Sequence, residues 1–253
     1  MFRRWFRSNF TNSMRTLRLP IILILSLVLI PVSISAKEKK KPKSKTAKKV
    51  YSAKEEVKAP SIVVPTELLA IEKKYVAAKT LEAQFSQHDE VKLTGTTKDS
   101  SGVLMIRHPD QFRWETLKPE KNLLVSDGKK FWFYTPPFEE GENGQVLERK
   151  TSEVQSELAN ALLAGAFSKV RGVKITKNSP SKFRLLPNDG VAGSVKVAEI
   201  EIDPAKGLIQ KLHLEHLGGN KTSVSLTNIK LGGKFADAFF QFVTPPKTDV
   251  VRE

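Results

Sequence analysis

The chain has 253 residues, of which 40% are hydrophobic and 8% aromatic, and this is enough to form a buried core. Its formal net charge is +15, but the excess lies mainly in residues 1–60, where fifteen Lys and Arg stand against three Glu. The remaining residues are nearly balanced in charge, which argues against nucleic-acid binding because that needs a basic surface on the folded part. The absence of cysteine excludes disulfide bonds, thiolate metal sites, a cysteine nucleophile and a lipid-modified cysteine.

The first 36 residues have the three-part pattern of a secretory signal peptide. Arg15 and Arg18 precede an apolar stretch over 19–35, and Ala36 is a suitable cleavage site. The most apolar part, 21–30, is shorter than the about 20 residues that a membrane-spanning helix needs. The sequence therefore predicts an exported protein, with an uncleaved membrane anchor as the alternative; translation from Met1 or from Met14 remains open.

Residues 37–60 are rich in lysine and contain almost no large apolar side chains. Such a segment cannot offset the entropy of ordering by burying surface, so it is predicted to be a disordered linker. Attraction of its lysines to an anionic membrane surface is the functional alternative to a plain spacer.

Residues 61–253 are predicted to form one folded domain that begins with a helix. Thr66 follows Pro65 and is a candidate N-cap, and apolar residues then recur at helical spacing up to about Lys79. A second helix is predicted from Ser152, where Ser152-x-x-Gln155 has the spacing of a capping box, with Val154, Leu158 and Leu162 on its apolar side.

Most of the other segments alternate with a period of two between turn residues, which predicts an antiparallel sheet. Asp127-Gly128 is a strong hairpin signal. The segment 136–150 reads as a loop. The predicted strand segments are Leu81 to Gln87, Leu104 to His108, Phe112 to Thr116, Leu123 to Ser126, Lys129 to Tyr134, Val173 to Thr176, Phe183 to Leu186, Val195 to Ile202, Leu208 to Leu217 and Thr222 to Leu231. The fold class is therefore mainly β, with a helical cover.

No group of residues has the spacing of a catalytic or metal site. His213 and His216 lie on opposite faces of one predicted strand, so they are poorly placed to share a metal. The acidic cluster Glu139, Glu140 and Glu142 lies in a glycine-containing loop, where nothing apolar would raise a carboxyl pKa. We therefore expect a protein that is not an enzyme and that uses no cofactor or metal.

A series of motifs resembles the LolA family of periplasmic outer-membrane lipoprotein carriers. The motifs are GVLMIRHP at 102–109, FRW at 112–114, LLVSDG at 123–128, WFY at 132–134 and Phe240-x-Phe242 before Pro245-Pro246. The likeness extends from about Leu68 to Val250. One motif would be weak evidence, whereas the series in this order is specific.

The resemblance implies an incomplete antiparallel β-barrel with a helical lid over an apolar cavity that receives lipoprotein acyl chains. Strand alternation selects the residues predicted to line that cavity, which are Leu104, Ile106, Phe112, Trp114, Phe131 and Phe133. A shift of one residue would exchange the last two for Trp132 and Tyr134. The predicted lid helix carries Val154, Leu158 and Leu162.

The resemblance also implies a location and partners. The protein would act in the periplasm as a monomer, would not bind nucleic acid, and would shuttle lipoproteins from the inner to the outer membrane. It would take its cargo from an inner-membrane ABC lipoprotein-releasing complex and could pass it to an outer-membrane acceptor. A sensor of lipids or lipoproteins with the same fold, and a surface protein that binds anionic polymers through its basic tail, are the alternatives.

One position departs from the family pattern. Family members commonly carry Arg immediately before the proline of this strand, at a position linked to holding the lid shut, whereas this chain has His108 there and Arg107 one residue earlier. Alternation directs His108 inward and Arg107 outward. We therefore predict that His108 makes the lid contact, as a hydrogen-bond donor to carbonyls at a helix end.

Overall fold

The computed structural model describes residues 64–151, 158, 162, 164–188 and 192–252. The predicted signal peptide, 1–36, and the predicted lysine-rich linker, 37–60, lie outside these residues. Among the described residues, no helix is long and apolar enough to cross a membrane.

The first helix, α1, comprises Thr66–Ala78 and is where the sequence predicts it. Its N-cap is Pro65, and Thr66 is the first helical residue, so the predicted role of Thr66 is wrong. The Thr66 hydroxyl donates to the carboxylate of Glu67 instead of capping a backbone N–H. At the other end Lys79 adopts φ 63°, and its N–H donates to the carbonyls of Tyr75 and Val76, which ends the helix.

In the part of the chain that the structure describes, twelve strands follow α1, and two short 3-10 turns at Phe167–Lys169 and Asp237–Phe240 interrupt them. Every strand that the sequence predicts is present. The strands are β1 (Thr80–Val91), β2 (Thr96–Arg107), β3 (Gln111–Lys118), β4 (Asn122–Asp127), β5 (Lys130–Thr135), β6 (Gly144–Lys150), β7 (Val173–Ser179), β8 (Lys182–Pro187), β9 (Val195–Asp203), β10 (Leu208–His216), β11 (Lys221–Leu231) and β12 (Thr248–Arg252).

All twelve strands belong to one open, curved sheet in the order β12-β6-β5-β4-β3-β2-β1-β11-β10-β9-β8-β7. Neighbours are antiparallel except β12, which pairs with β6 in parallel. The sheet has two edges, β12 and β7, and does not close into a barrel. The expected incomplete barrel with helices is confirmed.

The prediction of a loop over 136–150 is wrong in its second half. Residues 144–150 form β6, which pairs with β5 on one side and β12 on the other. The strand is short of apolar residues, but Val146 is buried against Val125 and Trp132. Pairing and this one buried side chain stabilise a segment whose composition reads as a loop.

Only single positions of the predicted second helix belong to the described residues. Thr151, Leu158, Leu162 and Ala164 have helical conformation. The predicted capping residues Ser152 and Gln155, and the predicted lid residue Val154, lie outside the described residues.

Candidate functional site

The six residues predicted to line a cavity form two neighbouring rows on one face of the sheet. Strand pairing aligns Leu104 with Trp114 across β2 and β3, and it aligns Ile106 with Phe112 one step along. Leu124 of β4 continues the first row, that of Leu104 and Trp114, to Phe133 of β5. Ser126 of β4 continues the second row, that of Ile106 and Phe112, to Phe131 of β5. Trp132 and Tyr134, the alternative pair, pack on the opposite face. Sequence reasoning missed Leu124 as a member of the first row, although its alternation within β4 places it there.

Aromatic rings dominate this inner face. The rings of Phe85 and Trp114 have centroids 4.1 Å apart, and those of Phe112 and Phe131 are 6.1 Å apart. A side chain at Gly102 would collide with the Glu115 carbonyl, at 1.9 Å, and with the Phe85 ring, at 2.9 Å. Glycine at 102 therefore lets the Phe85 ring lie directly against β2.

Helical residues cover the apolar face. Leu68, Ile71 and Tyr75 of α1 are buried in the same cluster as the two rows, and so are Leu158 and Leu162. These two residues of the predicted lid helix are 0% and 4% exposed. The structure thus encloses an apolar interior between the sheet and a helical cover. We call this cover the lid; it comprises α1 and the helical residues described between 151 and 164.

Polar contacts fasten the lid around its periphery. The backbone N–H of Ile209 donates to the Tyr75 hydroxyl at 2.9 Å. Burial raises the pKa of Tyr75 to about 12, so this hydroxyl stays neutral. The Glu72 carboxylate accepts hydrogen bonds from the N–H and the hydroxyl of Ser168, at 2.8 and 2.6 Å. Lys177 forms an ion pair with Glu67. These contacts add to the apolar packing of Leu68, Ile71 and Tyr75, which are buried against the sheet.

His108 lies where β2 meets the lid. Its backbone N–H donates to the Lys79 carbonyl at the end of α1, at 2.8 Å. The side chain is half-buried, and its Nε2 has no hydrogen-bond partner among the described residues. Burial lowers the pKa of His108, Asp110 and Glu72 raise it, and Lys169 lowers it further. The contact with the helix end is therefore made by the backbone, and a lid contact through the ring remains a prediction.

The end of the interior opposite the lid contains a buried polar network. Asp89 is 1% exposed and accepts hydrogen bonds from Gln87, at 2.6 Å, and from the Thr222 hydroxyl, at 2.7 Å. His216 approaches Thr222 and Ser194 through its two ring nitrogens. Burial lowers the pKa of His216, although Asp89 opposes this. Paired in this way, the polar groups close the apolar interior at this end.

A second apolar cluster lies on the outer face of β4, β5 and β6. Val125, Trp132 and Val146 are buried there under Phe242, whose ring centroid is 6.1 Å from that of Trp132. Phe242 belongs to the segment after β11, residues 232–247, which we call the C-terminal arm. Arg107 points to this face, as alternation predicts, and bonds Asp237 of the arm at 2.7 Å. Its guanidinium also lies 4.6 Å from the centroid of the Phe240 ring.

The other candidate polar groups are dispersed. His213 bonds Ser223 on the exposed face at 2.9 Å, whereas His216 points inward, so the predicted separation of the two histidines is confirmed. Within the described residues no three His, Cys, Asp or Glu are grouped to hold a metal ion. A groove of 670 Å³ on the outer face is lined with Ser, His, Asp and Lys side chains, which suit acyl chains poorly.

The fold is thus an open, curved sheet whose apolar inner face lies beneath helical residues. The family model described as "Outer membrane lipoprotein carrier protein LolA" matches residues 77–243, more than half of the chain. The chain therefore belongs to the LolA family, as its motifs indicate.

Named proteins of this family resemble the chain over most of the folded part. An outer-membrane lipoprotein carrier protein of Vibrio campbellii is 33% identical over 157 residues, which are 61% of this chain and 71% of that protein. One from Methylobacillus flagellatus is 27% identical over 164 residues, covering 62% and 74% of the two chains. The crystal structure of a LolA superfamily protein from Nitrosomonas europaea covers 70% of this chain and 96% of its own, with 8% identity and a TM-score of 0.41.

Proposed function

We propose that this protein is a periplasmic carrier that encloses the acyl chains of lipoproteins in the interior between its sheet and its lid. The observation that supports this most directly is the placement of two rows of large apolar side chains beneath helices held by polar contacts. Its family membership supports the same role. No enzymatic step is part of the proposal.

The energetics favour a dedicated carrier. Each methylene group of an acyl chain contributes about 0.8 kcal/mol when it leaves water, so a chain of about fifteen exposes roughly 12 kcal/mol. A lipoprotein therefore needs an apolar enclosure to cross an aqueous compartment. The protein would take lipoproteins from an inner-membrane ABC lipoprotein-releasing complex, carry them as a monomer and deliver them to the outer membrane, with or without an acceptor.

Loading requires the lid to move away from the sheet. Opening would break the polar contacts of Tyr75 with Ile209 and of Glu72 with Ser168, and it would also separate the buried apolar side chains of the lid from the sheet. The polar groups find replacement partners in water, whereas the exposed apolar surface needs a new apolar partner. The acyl chains would then take the place of the apolar lid side chains against the two rows.

The principal test uses inner-membrane vesicles loaded with lipoproteins, ATP and the purified protein. We expect lipoproteins to appear in the soluble fraction in a one-to-one complex with the protein. Phe112→Glu, which places a carboxylate in the second row, should reduce this release at least about tenfold, because a charge in an apolar site is strongly disfavoured. The control is Met105→Glu on the outer face of β2, where strand pairing sets the new carboxylate opposite Arg113.

Phe112 is 5% exposed, so its replacement by Glu could prevent folding. Phe133→Gln serves as a second variant, since Phe133 lies in the first row and is only partly buried. Circular dichroism and urea unfolding would verify that each variant is folded. Release that is equal for the parent, both interior variants and the Met105→Glu control would reject an acyl-chain site on this face.

We also propose that His108 adjusts the opening of the lid. Its ring is half-buried without a partner for Nε2 among the described residues, and leaving such a nitrogen unpaired is unfavourable. His108→Leu removes the unpaired nitrogen and should stabilise the closed lid, so the variant should load lipoproteins more slowly. Loading at the parent rate would show that His108 has no part in opening.

A further inference from the structure

The two ends of the sheet differ in the side chains that their turns expose. At the end opposite the lid, large apolar residues stand out in water in or beside four successive turns of the sheet: Leu217, Leu93, Leu117 and Phe138. Leu93 is 94% exposed and Leu217 is 70% exposed. At the lid end, the turns between β2 and β3, β4 and β5, β7 and β8, and β9 and β10 expose no large apolar side chain among the described residues.

The turn that carries Leu93 is held to its neighbours on both sides. The backbone N–H of Lys92 donates to the Asn220 side chain in the turn of Leu217, at 3.1 Å. The Lys92 stem lies over Gly219, where an added Cβ would be 2.5 Å from it. On the other side, Lys98, the third residue of β2 after this turn, forms an ion pair with Glu120 of the β3–β4 turn at 3.0 Å. The three turns therefore form one platform. Because contacts hold these turns in place, the exposure of Leu93 and Leu217 does not result from loose turns.

Lysines surround the two leucines on this platform. Lys92 precedes Leu93, and Lys118 and Lys121 flank the neighbouring β3–β4 turn. All three are exposed, and none has an ion-pair partner among the residues that the structure describes. Glu120 is the acidic residue of these three turns and is paired with Lys98, whereas Glu139, Glu140 and Glu142 lie in another loop, beside Phe138. Positive charge and exposed leucines thus coincide in one place, which we call the leucine platform: the β1–β2, β3–β4 and β10–β11 turns.

We propose that the leucine platform docks on the surface of an anionic phospholipid bilayer. Single apolar side chains at turn tips can enter the boundary between headgroups and acyl chains, and nearby lysines then meet anionic headgroups. A surface that binds another protein would instead be expected to have a contiguous apolar patch with aromatic residues at its centre. The lid lies at the other end of the sheet, so docking leaves it free to move. The inference does not depend on the proposed cargo, and it applies to the protein with an empty or a filled interior.

The absence of native cysteine allows a dye to report from one chosen position. We would label Leu93→Cys and Leu217→Cys with a polarity-sensitive fluorophore and add vesicles of phosphatidylglycerol and phosphatidylcholine. Val76→Cys in α1 and Val251→Cys in β12 are matched controls, because their parent side chains are 55% and 50% exposed elsewhere on the surface. A blue shift at positions 93 and 217, with quenching by nitroxide-labelled lipid, and no change at 76 and 251, is the expected result.

Binding measured by sedimentation of the full chain with vesicles gives the sizes of the effects. Leu93→Ser with Leu217→Ser should weaken binding at least about tenfold, which corresponds to ~1.4 kcal/mol. Replacing Lys92, Lys118 and Lys121 by Gln should weaken binding to phosphatidylglycerol vesicles by a similar factor and leave binding to pure phosphatidylcholine unchanged.

Three outcomes would overturn the proposal. The first is no spectral change at positions 93 and 217 with vesicles. The second is an equal change at all four labelled positions, which would assign the binding to another part of the chain. The third is a change with native membranes that protease treatment of those membranes abolishes and that pure lipid does not reproduce; the platform would then bind a protein. The lipoprotein-release assay is separate, so failure of either proposal leaves the other intact.

Discussion

The strands β4 and β5 contribute to two apolar clusters, one on each face, and the two clusters are covered in different ways. On the inner face, Leu124, Phe131 and Phe133 lie under helices that polar contacts fasten. On the outer face, Val125 and Trp132 lie under the C-terminal arm, which continues into β12 of the same sheet. We expect that the inner cover can leave while the sheet stays intact, whereas removal of the outer cover would also disturb the sheet edge. The proposed carrier function thus assigns exchange of its cover to the inner face and permanent burial to the outer face.

Among replacements by alanine, the largest effect on stability is expected from Trp132→Ala on the outer face. The change removes a large buried ring from contact with Phe242 and also the hydrogen bond from its Nε1 to Glu148, at 3.2 Å. We expect the free energy of unfolding to fall by about 3–5 kcal/mol, measured by urea denaturation. The variant protein that remains folded should release lipoproteins from membranes as the parent does.

The neighbouring change Phe133→Ala tests the inner face. Phe133 is partly buried in the apolar interior, so the expected loss of stability is smaller, about 1–2 kcal/mol. Lipoprotein release should nevertheless fall more than in Trp132→Ala, because the substituted side chain faces the proposed site. If Trp132→Ala impaired release more strongly per folded molecule, the roles assigned to the two faces would have to be exchanged.

How far this contrast can be predicted from sequence depends on the residues concerned. Strict alternation over 111–116 and 130–134 separates inward from outward side chains, and the register of the strands agrees with it at all six predicted positions. The hairpin at Asp127-Gly128 is equally local: Asp127 accepts hydrogen bonds from the backbone N–H groups of Lys129 and Lys130. Signals of this kind lie within a few residues and can be read from the chain itself.

The parts that sequence reasoning missed depend on partners far apart in the chain. The strand β12 is mostly exposed and pairs with β6 more than 100 residues away, so no burial pattern predicts it. Glu72 and Ser168 form a hydrogen bond although they are 96 residues apart, and nothing in the sequence around either residue distinguishes it from an ordinary surface residue. The contact of Arg107 with Asp237 is non-local in the same way. Such pairs become visible only when the order of the strands is known.

The C-terminal arm offers a smaller and more specific test of the outer cover. Arg107 touches the arm in two ways, through Asp237 and through the Phe240 ring. Arg107→Lys keeps a charge for Asp237 but loses the planar contact with the ring, and it should lower the free energy of unfolding by about 1 kcal/mol. Asp237→Asn should have less effect, because Asp237 is 86% exposed and salt screens such a pair. Equal losses in the two variants, both abolished by high salt in urea unfolding, would show that the ion pair holds the arm.

The smallest predicted effect concerns pH and the junction between sheet and lid. Burial holds the pKa of His108 below its ordinary value of 6.5, so below that pH the unfolded chain binds a proton more readily than the folded protein does. Its contribution should therefore lower stability as the pH falls from 7 to 5. His216 acts in the same direction, whereas His88 acts in the opposite one, since Asp99 raises its pKa.

The histidines can be separated by comparing slopes of stability against pH in single variants. His108→Gln should reduce the loss of stability between pH 7 and 5, and His88→Gln should increase it, as judged from urea midpoints. The charges nearest His108 come from both sides of the junction: Asp110 follows β2, while Glu72 and Lys169 belong to α1 and the 3-10 turn beside it. A protonated His108 would therefore act where the lid meets the sheet, and lid opening should become easier at low pH in the parent but not in His108→Gln. An unchanged slope in His108→Gln would mean that the ring is already solvated in the folded protein, and the junction would then have no dependence on this histidine.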